Sequence, residues 1–325
     1  MHRSTCCRWT ALHGLAQDGA ITIRKCRVSL LARIEIPAEG GFFSGLAGGP
    51  PLGSAPLVHL AHATGMNAET YRPILEALAR RYTVRALDLR GHGFSTVPAD
   101  PRRLRSWSRY ARDLAGILEG WGQPAFLVGH SMGGAISTEV AALHPGLAAG
   151  LLLIDPAVVP KRAVPALAFG RVTGLMRRFP LAEQAAKRRA DWPGREVMLK
   201  AYTGRGAFKT WRPEFLDAYV QGGTTDKPDG TIALACAPAW EAQTFATIGL
   251  SFWRRVPKLV CPVGVLYADK GSTLGRRGAA SLSKVLPAAA VTRVPESTHF
   301  IPMEFPAVVE QAIDALVENK LRTIS

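Results

Sequence analysis

Cysteine is scarce in this 325-residue sequence: Cys6, Cys7, Cys26, Cys236 and Cys261, an odd and scattered set with no C-x-x-C pair. That usage argues against both a disulfide framework and a cysteine-ligated zinc site. No run of about 18 consecutive apolar residues occurs, so no segment reads as a transmembrane helix. The first twenty residues, "MHRSTCCRWTALHGLAQDGA", lack the continuous apolar core of a signal peptide. The expectation is a soluble, cytoplasmic protein. Acidic residues are also few, 25 Asp and Glu against 40 Lys and Arg, a net charge of +15.

Such an excess is a nucleic-acid signal until it is located along the chain. Residues 161 to 212 hold thirteen Lys/Arg against three Asp/Glu, and residues 1 to 34 hold six against one; everything else balances, twenty-one against twenty-one. Neither basic stretch has zinc-finger, RNA-recognition or basic-zipper patterning, so no nucleic-acid partner is expected. The charge reads as a solvated surface or as an attraction for anionic substrates or surfaces. Residues 1–27 weakly resemble an Arg-rich targeting peptide or an over-extended start of translation, and the expectation there is a poorly ordered extension.

What the chain has in quantity is apolar material, 47% of residues, enough for one enlarged domain. Strand-like runs recur at 28–36, 56–62, 82–89, 124–130, 150–155, 261–269 and 290–296. Amphipathic helical stretches at 68–81, 106–121 and 133–144 lie between several of them, with Tyr71, Ile74, Leu75 and Leu78 at helical spacing. This alternation predicts an α/β fold, a mainly parallel sheet with helices on both faces. The rhythm breaks over 156–257, which carries Trp192, Trp211, Trp240, Trp253 and basic runs such as "AAKRRADWPGR". A structureless loop of that length is improbable in a compact domain, so 156–257 is expected to be a helical cap on a core of 28–155 and 258–325.

Within "FLVGHSMGGAIS" (126–137) an apolar strand, G-H-S-M-G-G and a helix start follow in order, the context of a nucleophile elbow. The turn needs small residues around its serine, here Gly129, Gly133 and Gly134, and it lifts Ser131 above the sheet edge at a helix N-terminus. Serine needs a base to become nucleophilic. Two histidines follow Ser131. His144 is thirteen residues along the same helix, about 20 Å away at about 1.5 Å rise per residue, too far to take the proton. His299, in "PESTHFIPMEFP" after the last strand, is the candidate base. An oxyanion hole needs two backbone N–H groups; Met132, directly after the serine, and Thr64 in "HATGMN" are the candidates.

Together "HATG" (62–65), "DLRGHGFS" (88–95), "GHSMGG" (129–134) and "THFIPMEFP" (298–306) resemble the α/β-hydrolase superfamily, specifically its cap-bearing, esterase- or lipase-like members. The resemblance covers about 28–155 and 258–322. It implies an eight-stranded, mostly parallel sheet, a helical cap after the sixth strand, and hydrolysis with no cofactor. The usual acid position after the seventh strand, in a G-x-x-D pattern, falls on Gly271 in "VLYADKGST". Two substitutes are left: Asp155 at the end of "LLLID", a location some relatives use, and Asp269. Asp155 is favoured because strand six would lie beside the strand that carries Ser131.

A serine at the elbow, where epoxide hydrolases and haloalkane dehalogenases carry aspartate, implies acyl transfer. The reading is hydrolysis of a partly apolar small-molecule carboxylic ester through an acyl-enzyme. Lactone, amide or C–C bond hydrolysis on the same machinery is the alternative, and a binding member of the fold without turnover is the third possibility. Asp88, Arg90 and His92 are read as structural. Asp226 and Asp229 lack a full calcium-loop pattern and read as turn formers, so no metal site is expected.

Overall fold

Residues 29–324 are described by the computed structural model, and their apolar runs pair edge to edge into one sheet. In chain order the elements are β1 (Leu31–Ala38), β2 (Gly41–Gly48), β3 (Leu57–Ala61), α1 (Arg72–Leu78), β4 (Thr83–Leu87), α2 (Ser108–Gly120), β5 (Ala125–His130), α3 (Met132–Leu143) and β6 (Ala148–Ile154). There follow α4 (Val164–Val172), α5 (Pro180–Ala186), β7 (Asp191–Trp192), α6 (Arg195–Tyr202), α7 (Pro213–Gly222), β8 (Thr224–Asp226), β9 (Ile232–Leu234), α8 (Pro238–Ala246) and α9 (Phe252–Arg255). The chain then closes with β10 (Val263–Ala268), α10 (Gly275–Val285), β11 (Ala290–Val294), α11 (Ile301–Glu304) and α12 (Pro306–Ile324).

The main sheet has eight strands in the order β1-β2-β4-β3-β5-β6-β10-β11. β2 runs antiparallel to both neighbours and the remaining pairings are parallel. Alternate side chains of the central strands supply two cores. Val58, Leu60, Phe126, Val128, Leu152 and Ile154 pack with α1 and α12, while Leu57, Leu127, Leu151 and Leu153 pack with α2 and α3. All six residues of β5 are buried, as a strand covered on both faces must be. Each fully buried Leu, Ile or Val contributes about 1.5–3 kcal/mol relative to exposure, so the strand ends beneath Ser131 rest on a rigid base.

Two features depart from the sequence expectation. β2, "GFFSGLAG", is absent from the predicted strands because its three glycines read as a loop. Gly45 is required there for space: a Cβ would lie 2.4 Å from the Ala86 carbonyl oxygen on β4. The second departure is in 156–257, which holds six helices, α4 to α9, but also a small antiparallel sheet in the order β7-β9-β8. Strands of two or three residues are too short to show a period-two pattern. The extension expected over residues 1–27 lies outside the described residues. No helix among the described residues is long and apolar enough to cross a membrane.

Candidate active site

The turn between β5 and α3 is made by steric exclusion. A Cβ on Gly129 would sit 2.5 Å from the Gly133 carbonyl carbon and oxygen, and one on Gly133 would sit 2.1 Å from the Ala61 carbonyl oxygen. With those positions empty, α3 starts directly above the strand ends and Ser131 occupies its N-cap at φ 54°, ψ −115°. This left-handed backbone is uncommon for a residue with a side chain and is held by hydrogen bonds on both sides. The Ser131 N–H donates to the Ile154 carbonyl at 3.0 Å, and the Ser131 carbonyl accepts from the Ala157 N–H at 3.0 Å. Ser131 is thereby stitched to the end of β6. Its hydroxyl makes no hydrogen bond among the described residues.

Asp155 stands at that same strand end, fully buried and also at positive φ, 39°. Its Oδ2 accepts the Nδ1–H of His299 at 2.6 Å. The other lone pairs are taken by the Ala268 N–H (3.1 Å), the Thr273 N–H (3.0 Å), the Thr273 hydroxyl and the Ser272 hydroxyl. Burial alone would raise its pKa, but hydrogen bonds from His299, Ser272 and Thr273 together bring it below the ordinary carboxylate value. Asp269 lies elsewhere. It pairs with Arg293 at 2.7 Å and accepts the Glu296 N–H, with no hydrogen bond to His299 among the described residues. The loop after β10 therefore carries Gly271 where the family pattern has a carboxylate, and its next two residues, Ser272 and Thr273, donate to the carboxylate on β6.

His299 is fixed from its backbone as well. Its carbonyl accepts from Nε2 of His130, the residue before Ser131, at 2.9 Å. His130 Nδ1 in turn accepts the Tyr71 hydroxyl at 2.7 Å, and the Tyr71 oxygen accepts the Ala63 N–H at 3.2 Å. This assignment of tautomer follows from the network. Burial, with the neighbouring His299, lowers the His130 pKa to about 3, so the ring stays neutral and the chain of bonds persists at ordinary pH. Glu304 braces the same loop by accepting the Thr298 N–H at 2.7 Å, and it also receives the Thr298 and Thr210 hydroxyls.

The side chains of the two residues proposed as oxyanion donors touch. The Thr64 hydroxyl contacts Met132 Sδ at 3.3 Å. The Ala63 N–H is spent on Tyr71, whereas neither the Thr64 nor the Met132 N–H donates to another group among the described residues. The residues set aside as structural are buried in the frame: Arg90 makes a bidentate pair with Asp113 at 2.8 and 2.9 Å, and Asp88 caps the Ala68 N–H at 2.7 Å. Trp192, Trp211 and Trp240 are buried, and Trp253 is half-buried.

A cluster that sequence reasoning missed sits against the 62–67 loop. Arg188 pairs with Glu241 at 2.5 Å and donates to the Tyr219 hydroxyl at 2.7 Å. A Cβ on Gly65 would lie 2.4 Å from Glu241 Oε1. Burial alone would lower the Arg188 pKa, but Tyr219 and Glu241 raise it, so the guanidinium is charged at any accessible pH. An aromatic wall continues from there: Tyr219 packs on Trp211 (5.8 Å between centroids), and Trp211 on Phe300 (5.4 Å), the residue after His299. Nothing local marks these residues, because Arg188, Tyr219 and Glu241 are brought together only by tertiary packing.

A parallel sheet with one antiparallel strand, a strained serine at a strand-to-helix elbow and a histidine-carboxylate pair at the neighbouring strand end define a hydrolase of α/β architecture. A model of the alpha/beta hydrolase fold matches residues 56–306, and the chain belongs to that family. It is 26% identical over 272 residues to a 2-(acetamidomethylene)succinate hydrolase of Mesorhizobium japonicum, covering 82% of this chain and 89% of that protein. It is 29% identical over 180 residues to a type I acyl-CoA thioesterase of Penicillium roqueforti, covering 52% of this chain and 40% of that protein. Among solved structures it resembles an E-2-(acetamidomethylene)succinate hydrolase with a TM-score of 0.72 at 22% identity, covering 89% of this chain and 99% of that one. The protein is an enzyme of the hydrolase class.

Proposed function

We propose that the protein is a serine hydrolase that cleaves a small-molecule carboxylic ester through an acyl-enzyme, with Ser131 as nucleophile, His299 as base and Asp155 as the acid of the triad. The observation that carries this reading is the 2.6 Å hydrogen bond from His299 Nδ1–H to Asp155, a carboxylate at the end of the strand beside the elbow. That bond fixes the tautomer in which Nε2 is free to take the Ser131 proton. Ser131 Oγ attacks the ester carbonyl as its proton passes to Nε2. The oxygen that becomes negative is held by the Met132 N–H at the start of α3 and the Thr64 N–H in the loop after β3. The imidazolium then protonates the leaving alcohol, and a water activated by His299 releases the acid and restores the serine. Among the described residues the Ser131 hydroxyl has no hydrogen-bond partner, and catalytic hydrogen bonds of this kind commonly tighten only when substrate binds.

In this reading 28–155 and 258–325 form the catalytic core and 156–257 a cap that selects substrate. The aromatic wall of Tyr219, Trp211 and Phe300 favours an apolar group on the ester. The charge on 161–212 favours substrates or surfaces with negative charge. Hydrolysis of an amide, lactone or C–C bond is the competing reading. The similarity to a hydrolase named for an acetamido-bearing succinate, together with the cation Arg188 at the Gly65 loop, favours an anionic amide within that reading.

The test is the kinetics of Asp155→Asn and Asp269→Asn on a short-chain activated ester. Asp155→Asn is expected to lose about 10⁴-fold in turnover and Asp269→Asn little. The opposite order would move the acid to Asp269. Failure of a fluorophosphonate to label Ser131 in folded protein would replace catalysis by ligand binding.

A further inference from the structure

The segment between β6 and β10 presents an apolar face that nothing in the described chain covers. Pro165, Phe169 and Val172 recur along α4 at four- and three-residue spacing, a pattern that ordinarily turns inward. Here it turns out: Phe169 is 67% and Val172 89% exposed, followed by Leu175 at 54% and Leu181 at 44%. Four of the nine exposed large apolar side chains among the described residues thus fall within thirteen positions. The helix is not loosely placed. Leu167 on its other side packs against the cluster of Met176, Ala182 and Ala246, and Arg171 Nη2 donates to the Thr247 carbonyl at 3.1 Å.

The same stretch is strongly cationic. Residues 161 to 189 hold eight Lys/Arg and one acid, Glu183. Lys161, Arg162, Arg177, Arg178, Lys187 and Arg189 are exposed, and none of them is ion-paired among the described residues. Exposed apolar side chains in one stretch with cations that no carboxylate neutralises need a partner with two properties, negative charge at its surface and apolar material just beneath. A nucleic acid supplies the charge and gives Val172 and Leu175 nothing to enter. A second copy would set one cationic face against another.

We propose that this face, centred on Phe169, Val172, Leu175 and Leu181 with Arg177 and Arg178, docks on an anionic lipid bilayer. The apolar side chains enter the boundary between headgroups and acyl chains while the guanidinium groups pair with anionic headgroups. The inference is independent of the ester chemistry, because it concerns where the enzyme works.

The experiment is sedimentation of the full chain with vesicles of phosphatidylcholine and of an equal mixture of phosphatidylcholine and phosphatidylglycerol, at low and high salt. Binding is expected on the mixed vesicles and to weaken with salt. The Arg177→Gln/Arg178→Gln variant is expected to lose about 25-fold in partitioning, at about fivefold per cation. The Phe169→Ser/Val172→Ser variant is expected to lose roughly tenfold or more. Both change exposed side chains, and unaltered turnover of a soluble ester reports that each is folded. Equal partitioning on the two vesicle types overturns the proposal. So does binding that both variants retain, which would assign it to the basic residues 1–34. A dimer that Phe169→Ser/Val172→Ser converts to monomer, or duplex DNA binding lost in the arginine variant alone, overturns it as well.

Discussion

The glycines of the elbow and those of the inserted segment are used for different things. Gly129 and Gly133 are surrounded by backbone at 2.1 to 2.5 Å from where a Cβ would stand, whereas Gly174, Gly204, Gly206 and Gly230 meet nothing within 4 Å. The first set exists because two chain segments must pass closer than side chains allow; the second serves only the turn of the chain. The elements around them differ in the same way. β5 and α3 are buried almost throughout, while α4 and α5 carry exposed Phe169, Val172 and Leu181. The proposed site is thus built on the region with least freedom to change, and what faces outward is left to the region with most.

Substitutions in the two regions should have very different costs. Ser131→Ala should leave the fold intact and lower turnover of an activated ester by about 10⁶-fold, measured by single-turnover kinetics. A small loss would end the elbow's claim to the chemistry. Gly133→Ala should destabilise by about 3 kcal/mol or more in urea unfolding, because the methyl group meets a backbone carbonyl that cannot move away. Gly174→Ala, whose φ of 78° is its only constraint, should cost about 1 kcal/mol. Equal costs would erase the distinction. Between them, Glu241→Ala should cost about 3 kcal/mol by leaving the Arg188 cation without its carboxylate. It should also lower kcat more than it raises KM if the pair steadies the Gly65 loop.

The buried histidines give the frame a pH signature of its own. Burial lowers the pKa of His59 to about 3 and of His92 to about 4, from 6.5, and that of His62 well below it. Between those values and 6.5 the unfolded chain binds protons that the folded chain refuses. Stability is therefore complete above about pH 6.5 and falls as pH drops through that window. Urea midpoints at pH 7 and pH 5 would measure it. His59→Leu should flatten the slope and raise stability at pH 7 by about 1 kcal/mol, because neither His59 nitrogen has a hydrogen-bond partner among the described residues.

Much of this architecture was legible in the sequence where it depends on near neighbours. The alternation of apolar runs and amphipathic helices gives the α/β class, and G-H-S-M-G-G between a strand and a helix gives the elbow geometry. β2 escaped because glycine-rich "GFFSGLAG" has no local strand signature; its glycines are explained only by β4 beside it. The small sheet of β7, β8 and β9 escaped for want of length.

Sequence alone determined the serine in its elbow, the choice of His299 as the candidate base, and the uneven distribution of positive charge. These follow from sterics and chain order, which act over a few residues or exclude alternatives outright. It left Asp155 and Asp269 both open as partners of His299, and it gave no hint of Arg188, Tyr219 and Glu241 around the Gly65 loop. Only the tertiary structure puts Asp155 against His299, 144 positions apart, and turns Asp269 toward Arg293. The reason is physical: which carboxylate reaches the imidazole depends on which strands lie side by side, and strand order is fixed by burial summed over the whole sheet rather than by any one segment.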